Sequence, residues 1–194
     1  MSYREKPGQL RRELRFSRET VESNLKTLGL DFQQVTPLIS ALGSPNGLLT
    51  LEESELTLVE RVLGTQTENP AVSLIGELVL TKSVPAGTGV SYGYISKTDS
   101  ETNLGLVGLG FSDGIPRSAS NRLSVRIGSG VFRSIGRIAM DQTVIDLGVT
   151  KPELGAEVCF FGDHCSLVKL SFETGFTPLE ILGRIAPRVA RLWI

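Results

Sequence analysis

Residues 123–132 read LSVRIGSGVF and carry the clearest fold signal in this chain. Apolar residues at positions 123, 125 and 127 alternate with polar residues at 124 and 126, which is the period of a strand with one buried face. The triplet Gly128-Ser129-Gly130 then provides a tight turn before the next apolar pair. The stretch therefore predicts a β-hairpin.

Similar short apolar runs flank this hairpin and are separated by glycine-rich turns. The further strand candidates are Leu78–Leu80, Leu104–Gly110, Val144–Leu147, Val158–Phe161 and Leu167–Phe172. We expect only a brief helix near Pro178–Leu182. Many short strands at this spacing predict a mainly β fold, an antiparallel β-barrel or sandwich, over residues 70–194.

Upstream of Asn69-Pro70 glycine is sparse and apolar residues recur at helical spacing. Three short helices are predicted from their start and stop residues, within 17–29, 35–43 and 50–64. The last is expected to begin with a capping box formed by Thr50 and Glu53. Residues 1–69 thus form a small α-helical segment of unknown role in front of the β-domain.

Composition argues against several classes of function. The chain has 194 residues with 20 basic and 21 acidic side chains, so neither a nucleic-acid nor a membrane partner is expected. The arginine-rich start, Arg4 to Arg18, is interpreted as a solvated helical face rather than a phosphate site. Lacking an apolar leader and a membrane-length apolar run, and having only two cysteines, the chain is expected to be a reduced, cytoplasmic protein.

A metal site is not expected. Asp163-His164-Cys165, with Cys159 nearby, superficially resembles a ligand cluster. A closed zinc site needs four suitably spaced ligands, and the sequence has no second cluster. Alternation within a strand and turn explains these residues better.

Four blocks of sequence carry a resemblance to a known family. They read VPAGTGVSYG at 84–93, GLGFSDGIPR at 108–117, IGRIAMDQ at 135–142 and GRIAPRVAR at 183–191. In this order they resemble the C-terminal β-domain of alanine racemase, and the resemblance covers residues 70–194. Family members interconvert L- and D-alanine with pyridoxal phosphate.

The resemblance implies roles for particular residues. Tyr92 matches an acid/base tyrosine that reaches into the active site of the other subunit of a dimer. The opposite base in the family is a lysine that holds pyridoxal phosphate on a separate N-terminal barrel. The positions implied to line the substrate site are Phe111, Arg117, Arg137, Met140 and Asp141.

Some of these positions leave alternatives open. Arg117 and Arg137 could instead be structural, and either fix loop carbonyls or pair with Asp113 and Asp141. Phe111 stands where the family usually has a tyrosine, and Leu179 stands where a second gate tyrosine lies. Both hydroxyls are missing from the implied substrate entrance.

The cofactor-bearing part of the family is not expected in this chain. Residues 1–69 are too few to close an eight-stranded barrel. None of the lysines has the surroundings of the family's cofactor lysine; they are Lys6, Lys26, Lys82, Lys97, Lys151 and Lys169. We therefore expect no cofactor in this chain alone.

Two hypotheses follow. The first is a racemase-like protein, inactive by itself, that forms a homodimer or joins a barrel-bearing partner and contacts a small amino acid. The second is a non-catalytic interaction or ligand-binding module that inherited the β-domain.

Overall fold

A computed structural model describes residues 10–162 and 165–194. The strands of this part of the chain are β1 (Glu13–Phe16), β2 (Val72–Val84), β3 (Gly89–Val90), β4 (Ser96–Lys97), β5 (Thr102–Val107), β6 (Ser124–Ile127), β7 (Gly130–Ser134), β8 (Thr143–Gly148), β9 (Glu157–Phe161) and β10 (Ala190–Trp193). The helices are α1 (Arg18–Thr27), α2 (Thr36–Leu42), α3 (Glu53–Leu63), α4 (Leu167–Thr174) and α5 (Pro178–Gly183).

The predicted β-barrel is confirmed. Strands β2, β5, β8, β7, β6 and β9 pair in that order, and β9 pairs back to β2, which closes a six-stranded antiparallel barrel. The predicted hairpin is β6–β7, in which Ile127 pairs with Gly130 across a two-residue turn. Gly128 in this turn has φ 56°, a left-handed conformation that glycine adopts without steric cost.

The helical segment shares one apolar core with the barrel. Side chains of α1 and α3, among them Leu25, Val62 and Leu63, belong to the same buried cluster as Leu74 and Leu78 of β2. The periodic apolar stripes that predict these helices therefore face the barrel wall.

The residues that begin and end the predicted helices are as expected, except at the start of α3. Ser17 precedes α1, and its Oγ accepts a hydrogen bond from the Thr20 amide at 3.3 Å. The prediction of a capping box from Thr50 and Glu53 is wrong, because residues 47–50 form a 3-10 helix. The box moves two residues on, to Glu52 and Glu55.

The prediction of a strand at Leu167–Phe172 is also wrong, because these residues lie in α4. Ser166 caps this helix, with its Oγ accepting a hydrogen bond from the Lys169 amide at 3.2 Å. Leu167 and Leu170 are both buried, which is a helical spacing. The N-cap and the three-residue spacing of the buried leucines favour a helix, although the short apolar run resembles a strand.

The arginine-rich start is not a helical face over Glu13–Phe16, which form β1. This strand pairs antiparallel with β2 and parallel with β10. Arg15 donates two hydrogen bonds to the carboxylate of Glu157, at 2.9 and 2.6 Å, and also pairs with Glu13. These contacts raise the pKa of Arg15, which is therefore a structural cation of the sheet. Arg4 lies outside the described residues.

Candidate functional site

Segments from three of the four sequence blocks adjoin one another on one surface, and Arg188 of the fourth block contacts two of these segments. The Ser91 hydroxyl donates to the Arg137 carbonyl at 2.5 Å. The Phe111 amide donates to the Ala139 carbonyl at 3.0 Å, and the next amide donates to Met140 at 2.9 Å. Residues 91–95, 111–117 and 136–141 therefore adjoin one another, and we refer to them as the candidate face.

Two glycines permit this close approach. A Cβ on Gly110 would lie 2.5 Å from the carbonyl oxygens of Ala139 and Met140, closer than atoms pack. A Cβ on Gly136, which has φ 82°, would lie 2.8 Å from the Val90 carbonyl oxygen. The absence of side chains at these two positions lets the three backbones come into contact.

Tyr92 lies at the exposed edge of the candidate face. Its side chain is 70% exposed, and its hydroxyl forms no hydrogen bond with any described residue. The loop around it has an unusual backbone, with positive φ at Ser91, Gly93 and Tyr94. Left-handed conformations at non-glycine residues cost free energy and persist where surrounding contacts enforce them. The loop thus presents a free phenol from a constrained backbone.

The implied substrate-binding residues belong to the same candidate face as Tyr92. Met140 is 57% exposed. The Arg117 guanidinium lies over the ring of Phe111, 5.4 Å from the ring centre, in a cation–π arrangement. The half-buried Arg137 side chain has no hydrogen-bond or ion-pair partner among the described residues. Both arginines retain hydrogen-bonding groups that an anion could use.

The suggested pairing of Arg117 and Arg137 with the two aspartates is wrong. Asp113 is fully buried, and its carboxylate accepts hydrogen bonds from the Gly110 amide at 2.9 Å and from Arg188 Nε at 2.7 Å. Arg188 Nη2 also donates to Asp141 at 2.6 Å and to the Ser112 hydroxyl at 2.6 Å. One guanidinium therefore links both aspartates.

This link has an electrostatic consequence. The hydrogen bonds from Arg188 and Ser112 hold the pKa of Asp141 below its ordinary value of 3.8. The same contacts raise the pKa of Arg188. The negative charge of Asp141 is therefore compensated on the candidate face. Sequence reasoning quoted the block that contains Arg188 but gave this residue no role, since its two acidic partners are 47 and 75 residues away along the chain.

Leu179 lies in a different environment from the candidate face residues. It lines an apolar groove between α5 and the helical segment, together with Leu48, Leu49, Leu51 and Leu56. Arg184, which also lines this groove, packs its backbone against the candidate face. A Cβ placed on Gly114 would lie only 2.6 Å from the Arg184 carbonyl oxygen. The position implied for a gate tyrosine thus lies among leucines.

The described lysines do not fit a Schiff-base site for pyridoxal phosphate. A Schiff base forms from a neutral amine, which burial or a neighbouring cation favours. All of the lysines that the structure describes are exposed: Lys26, Lys82, Lys97, Lys151 and Lys169. Lys6 lies outside the described residues.

Metal and membrane features can be assessed only for residues 10–162 and 165–194. Within them, no group of three or more histidine, cysteine or acidic side chains could hold a metal ion. Cys159 and Cys165 are buried and form no disulfide, whereas Asp163 and His164 lie outside these ranges. No helix in this part of the chain is long and apolar enough to cross a membrane.

Comparisons with known proteins match the β-domain, which contains the candidate face, to one family. The family model "Alanine racemase, C-terminal domain" matches residues 71–193. The alanine racemase of Streptomyces coelicolor is 45% identical over 130 residues, which cover 64% of this chain and 33% of that protein. That of Beutenbergia cavernae is 36% identical over 169 residues, covering 84% of this chain and 42% of that protein.

Solved structures show the same partial coverage. Alanine racemase from Streptomyces coelicolor A3(2) superposes with a TM-score of 0.63 at 43% identity, covering 65% of this chain and 34% of that one. The Bartonella henselae alanine racemase with covalently bound pyridoxal phosphate superposes with a TM-score of 0.62 at 29% identity. This match covers 64% of this chain and 35% of that one. These four matches each span between about a third and less than half of the relative's length.

Proposed function

Because this chain belongs to the alanine racemase C-terminal domain family, we propose that it supplies the tyrosine-bearing side of an alanine racemase site. A barrel-bearing chain completes the site and brings the cofactor. The observation that carries the proposal is the candidate face itself. There an exposed Tyr92, whose hydroxyl has no hydrogen-bond partner among the described residues, lies on a loop that is hydrogen-bonded to the segment carrying Arg137 and Met140.

In this proposal Tyr92 is the acid/base group. A phenol is a weak base at neutral pH unless a cation stabilises its anion, and Arg137 on the adjoining segment is a candidate cation. Pyridoxal phosphate, when bound by the other chain, supplies the electron sink that makes the α-proton of alanine removable. The proposed role of Tyr92 is to hold or deliver a proton at its hydroxyl oxygen.

Alanine is a small zwitterion, and its carboxylate needs a cationic environment. Arg117 and Arg137 are the two cations of the candidate face that make no ion pair with a described residue. Asp141 would repel a carboxylate if its charge were free, but Arg188 neutralises it at 2.6 Å. We therefore assign carboxylate recognition to the two arginines.

By itself the 194-residue chain is proposed to be inactive, since none of the described lysines fits the cofactor. The active form in this proposal is an assembly, either with a barrel-bearing partner or within a dimer, located in the cytoplasm and producing D-alanine.

The second candidate is an interaction module without catalysis. It is favoured by Phe111 and Leu179, which lack the hydroxyls that the resemblance places at the substrate entrance. In this alternative the candidate face binds a partner through its exposed aromatic and arginine side chains, a composition typical of interface hot spots.

Complementation tests the first proposal. The full chain is co-expressed with the part of Streptomyces coelicolor alanine racemase that it does not match, and D-alanine formation from L-alanine is measured. We expect activity only when both chains are present. Tyr92→Phe should lower this activity about a hundredfold to ten-thousandfold, since it removes only the ionisable oxygen.

Tyr94→Phe is the matched control, because Tyr94 is equally exposed at 70% and lies on the same loop. It should retain the activity. Equal activity of the wild-type chain and Tyr92→Phe would refute the acid/base role. Demonstrated binding of the two chains without any racemisation would instead favour the interaction module.

A further inference from the structure

One asparagine outside the sequence blocks joins two of the segments that make up the candidate face. The Oδ1 atom of Asn121 accepts a hydrogen bond from the Gly136 amide at 2.6 Å. The same atom accepts from the Ser96 hydroxyl at 2.7 Å. Ser96 ends residues 91–96, which we call the Tyr92 loop, whereas Gly136 begins the segment that leads to Arg137, Met140 and Asp141.

The backbone of Asn121 is suited to this contact. Its φ is 63°, in the left-handed region, which asparagine tolerates better than most residues. The preceding residue contributes a parallel contact, since the Ser120 hydroxyl oxygen accepts from the Ile138 amide at 3.1 Å. The turn at 120–121 thus holds the 136–138 backbone at two points.

The Tyr92 loop needs such an external tether. It contains positive φ values at Ser91, Gly93 and Tyr94, and Tyr92, Tyr94 and Ile95 are exposed. Few buried apolar contacts are therefore available to keep the loop in place. Its side-chain hydrogen bonds to the rest of the described chain include the one from Ser91 to Arg137 and the one from Ser96 to Asn121.

We propose that Asn121 is a positioning residue that fixes the Tyr92 loop relative to the Arg137–Asp141 segment through the shared acceptor Oδ1. This inference rests on the proposed function for its catalytic meaning. Its structural content does not depend on activity. Loss of the acceptor leaves the buried Gly136 amide without this partner and removes the side-chain hydrogen bond that joins Ser96 to the turn at 120–121, so that, among the described residues, only the pairing of β3 with β4 holds Ser96.

Amide hydrogen exchange of the full chain, followed by NMR, tests the tether directly. Asn121→Gly keeps the left-handed backbone accessible but removes the acceptor. We expect exchange at Gly136 to accelerate about twofold to tenfold, the factor that corresponds to one net hydrogen bond. Amide signals of Tyr92 and Tyr94 should shift as well. Asn121→Asp retains an acceptor oxygen and should restore slow exchange.

Asn46→Gly is the matched control, because Asn46 also has a left-handed backbone, with φ 59°, and its side chain forms no capping hydrogen bond. It should leave exchange at Gly136 unchanged. Unaltered exchange in Asn121→Gly, or equally fast exchange in Asn121→Gly and Asn121→Asp, would overturn the inference.

The complementation assay adds the catalytic readout. Asn121→Gly should lower kcat more than it raises KM, up to about a hundredfold, because a displacement of about 1 Å misaligns the acid/base group. Asn121→Asp should recover most of the rate. If the wild-type chain gives no racemisation at all, the proposed function fails, while the exchange data still decide whether Asn121 is the tether.

Discussion

At the scale of single residues, the charge arrangement around Arg188 is the feature with the widest consequences. The carboxylate of Asp113 is fully buried, accepts hydrogen bonds from the Gly110 amide and Arg188, and also lies 3.6 Å from Arg12 Nε. The Arg188 guanidinium also reaches the half-exposed Asp141. A buried carboxylate without a partner would cost several kcal/mol, so Arg188 both stabilises the fold and sets the electrostatics of the candidate face.

The lowered pKa of Asp141 predicts a pH-dependent contribution to stability. A carboxyl group whose folded pKa is depressed stabilises the protein above its ordinary value of 3.8 and loses this contribution as the pH falls through the lowered pKa. The difference in Tm between the wild type and Asp141→Asn should therefore shrink on acidification from about pH 6 to about pH 3.

Thermal melts monitored by circular dichroism across this range provide the measurement. Asp99→Asn serves as the control, because Asp99 is exposed and has no ion pair with a described residue. The difference in Tm between Asp99→Asn and the wild type should be small, as for most substitutions at exposed positions. A wild-type advantage over Asp141→Asn that grows towards low pH would contradict the assignment of the Arg188 contact.

At the scale of elements, the helical segment and the barrel depend on each other. Strand β1 lies upstream of the helices but pairs with β2 and β10. Helices α1 and α3 then cover the apolar side of this part of the sheet. The chain therefore enters the sheet, leaves it as helices and returns at β2.

Leu63 on α3 is a sensitive probe of this packing, because it is fully buried. Leu63→Ala should lower the free energy of unfolding by about 2–5 kcal/mol, through lost burial and the cavity left behind. Leu49→Ala, at a site that is 70% exposed, should change it by less than about 0.5 kcal/mol.

The shape of the unfolding transition is equally informative. Far-ultraviolet circular dichroism reports on the helices, and the fluorescence of Trp193 reports on β10, where its ring stacks on Phe16 of β1. Both signals should move together in Leu63→Ala. Separate transitions, with Trp193 unaffected by the substitution, would mean that the helices do not support the sheet.

At the scale of the whole molecule, the candidate face exposes several large apolar side chains. Tyr92, Tyr94, Ile95 and Met140 are each at least 49% exposed, and Phe111 is 36% exposed. Such a patch is a candidate for burial by self-association or by a partner. We expect the full chain to associate through this surface.

Light scattering measures this association. Tyr94→Ser combined with Ile95→Ser should weaken it at least about fivefold, since central aromatic and aliphatic contacts dominate interface energies. Val149→Ser, at a 94% exposed position outside the patch, is the control and should leave association unchanged. A monomer at all concentrations, for wild type and variants alike, would restrict the patch to binding a different chain.

The cofactor prediction also belongs to the whole molecule. Adding pyridoxal phosphate to the purified chain should produce no new visible absorbance band from a Schiff base, because the described lysines are exposed. An absorbance scan gives the answer. A band that one particular lysine substitution abolishes would identify a cofactor lysine and overturn the proposal that the chain is inactive alone.

The sequence by itself determined the features that depend on neighbouring residues. The β6–β7 hairpin follows from apolar alternation and a glycine turn, and α1 from Ser17, because each of these signals acts within a few residues. The four sequence blocks also identified the β-domain and the residues that form the candidate face.

Only the tertiary structure decided where distant segments meet. Strand β1 was not predicted, because four residues surrounded by arginines become a strand only by pairing with β2 and β10. The roles of Arg188 and Asn121 depend on partners brought together by the barrel, up to 76 residues apart in sequence. Hydrogen bonds and ion pairs act over a few ångströms, so the chain order alone does not specify which groups come within reach.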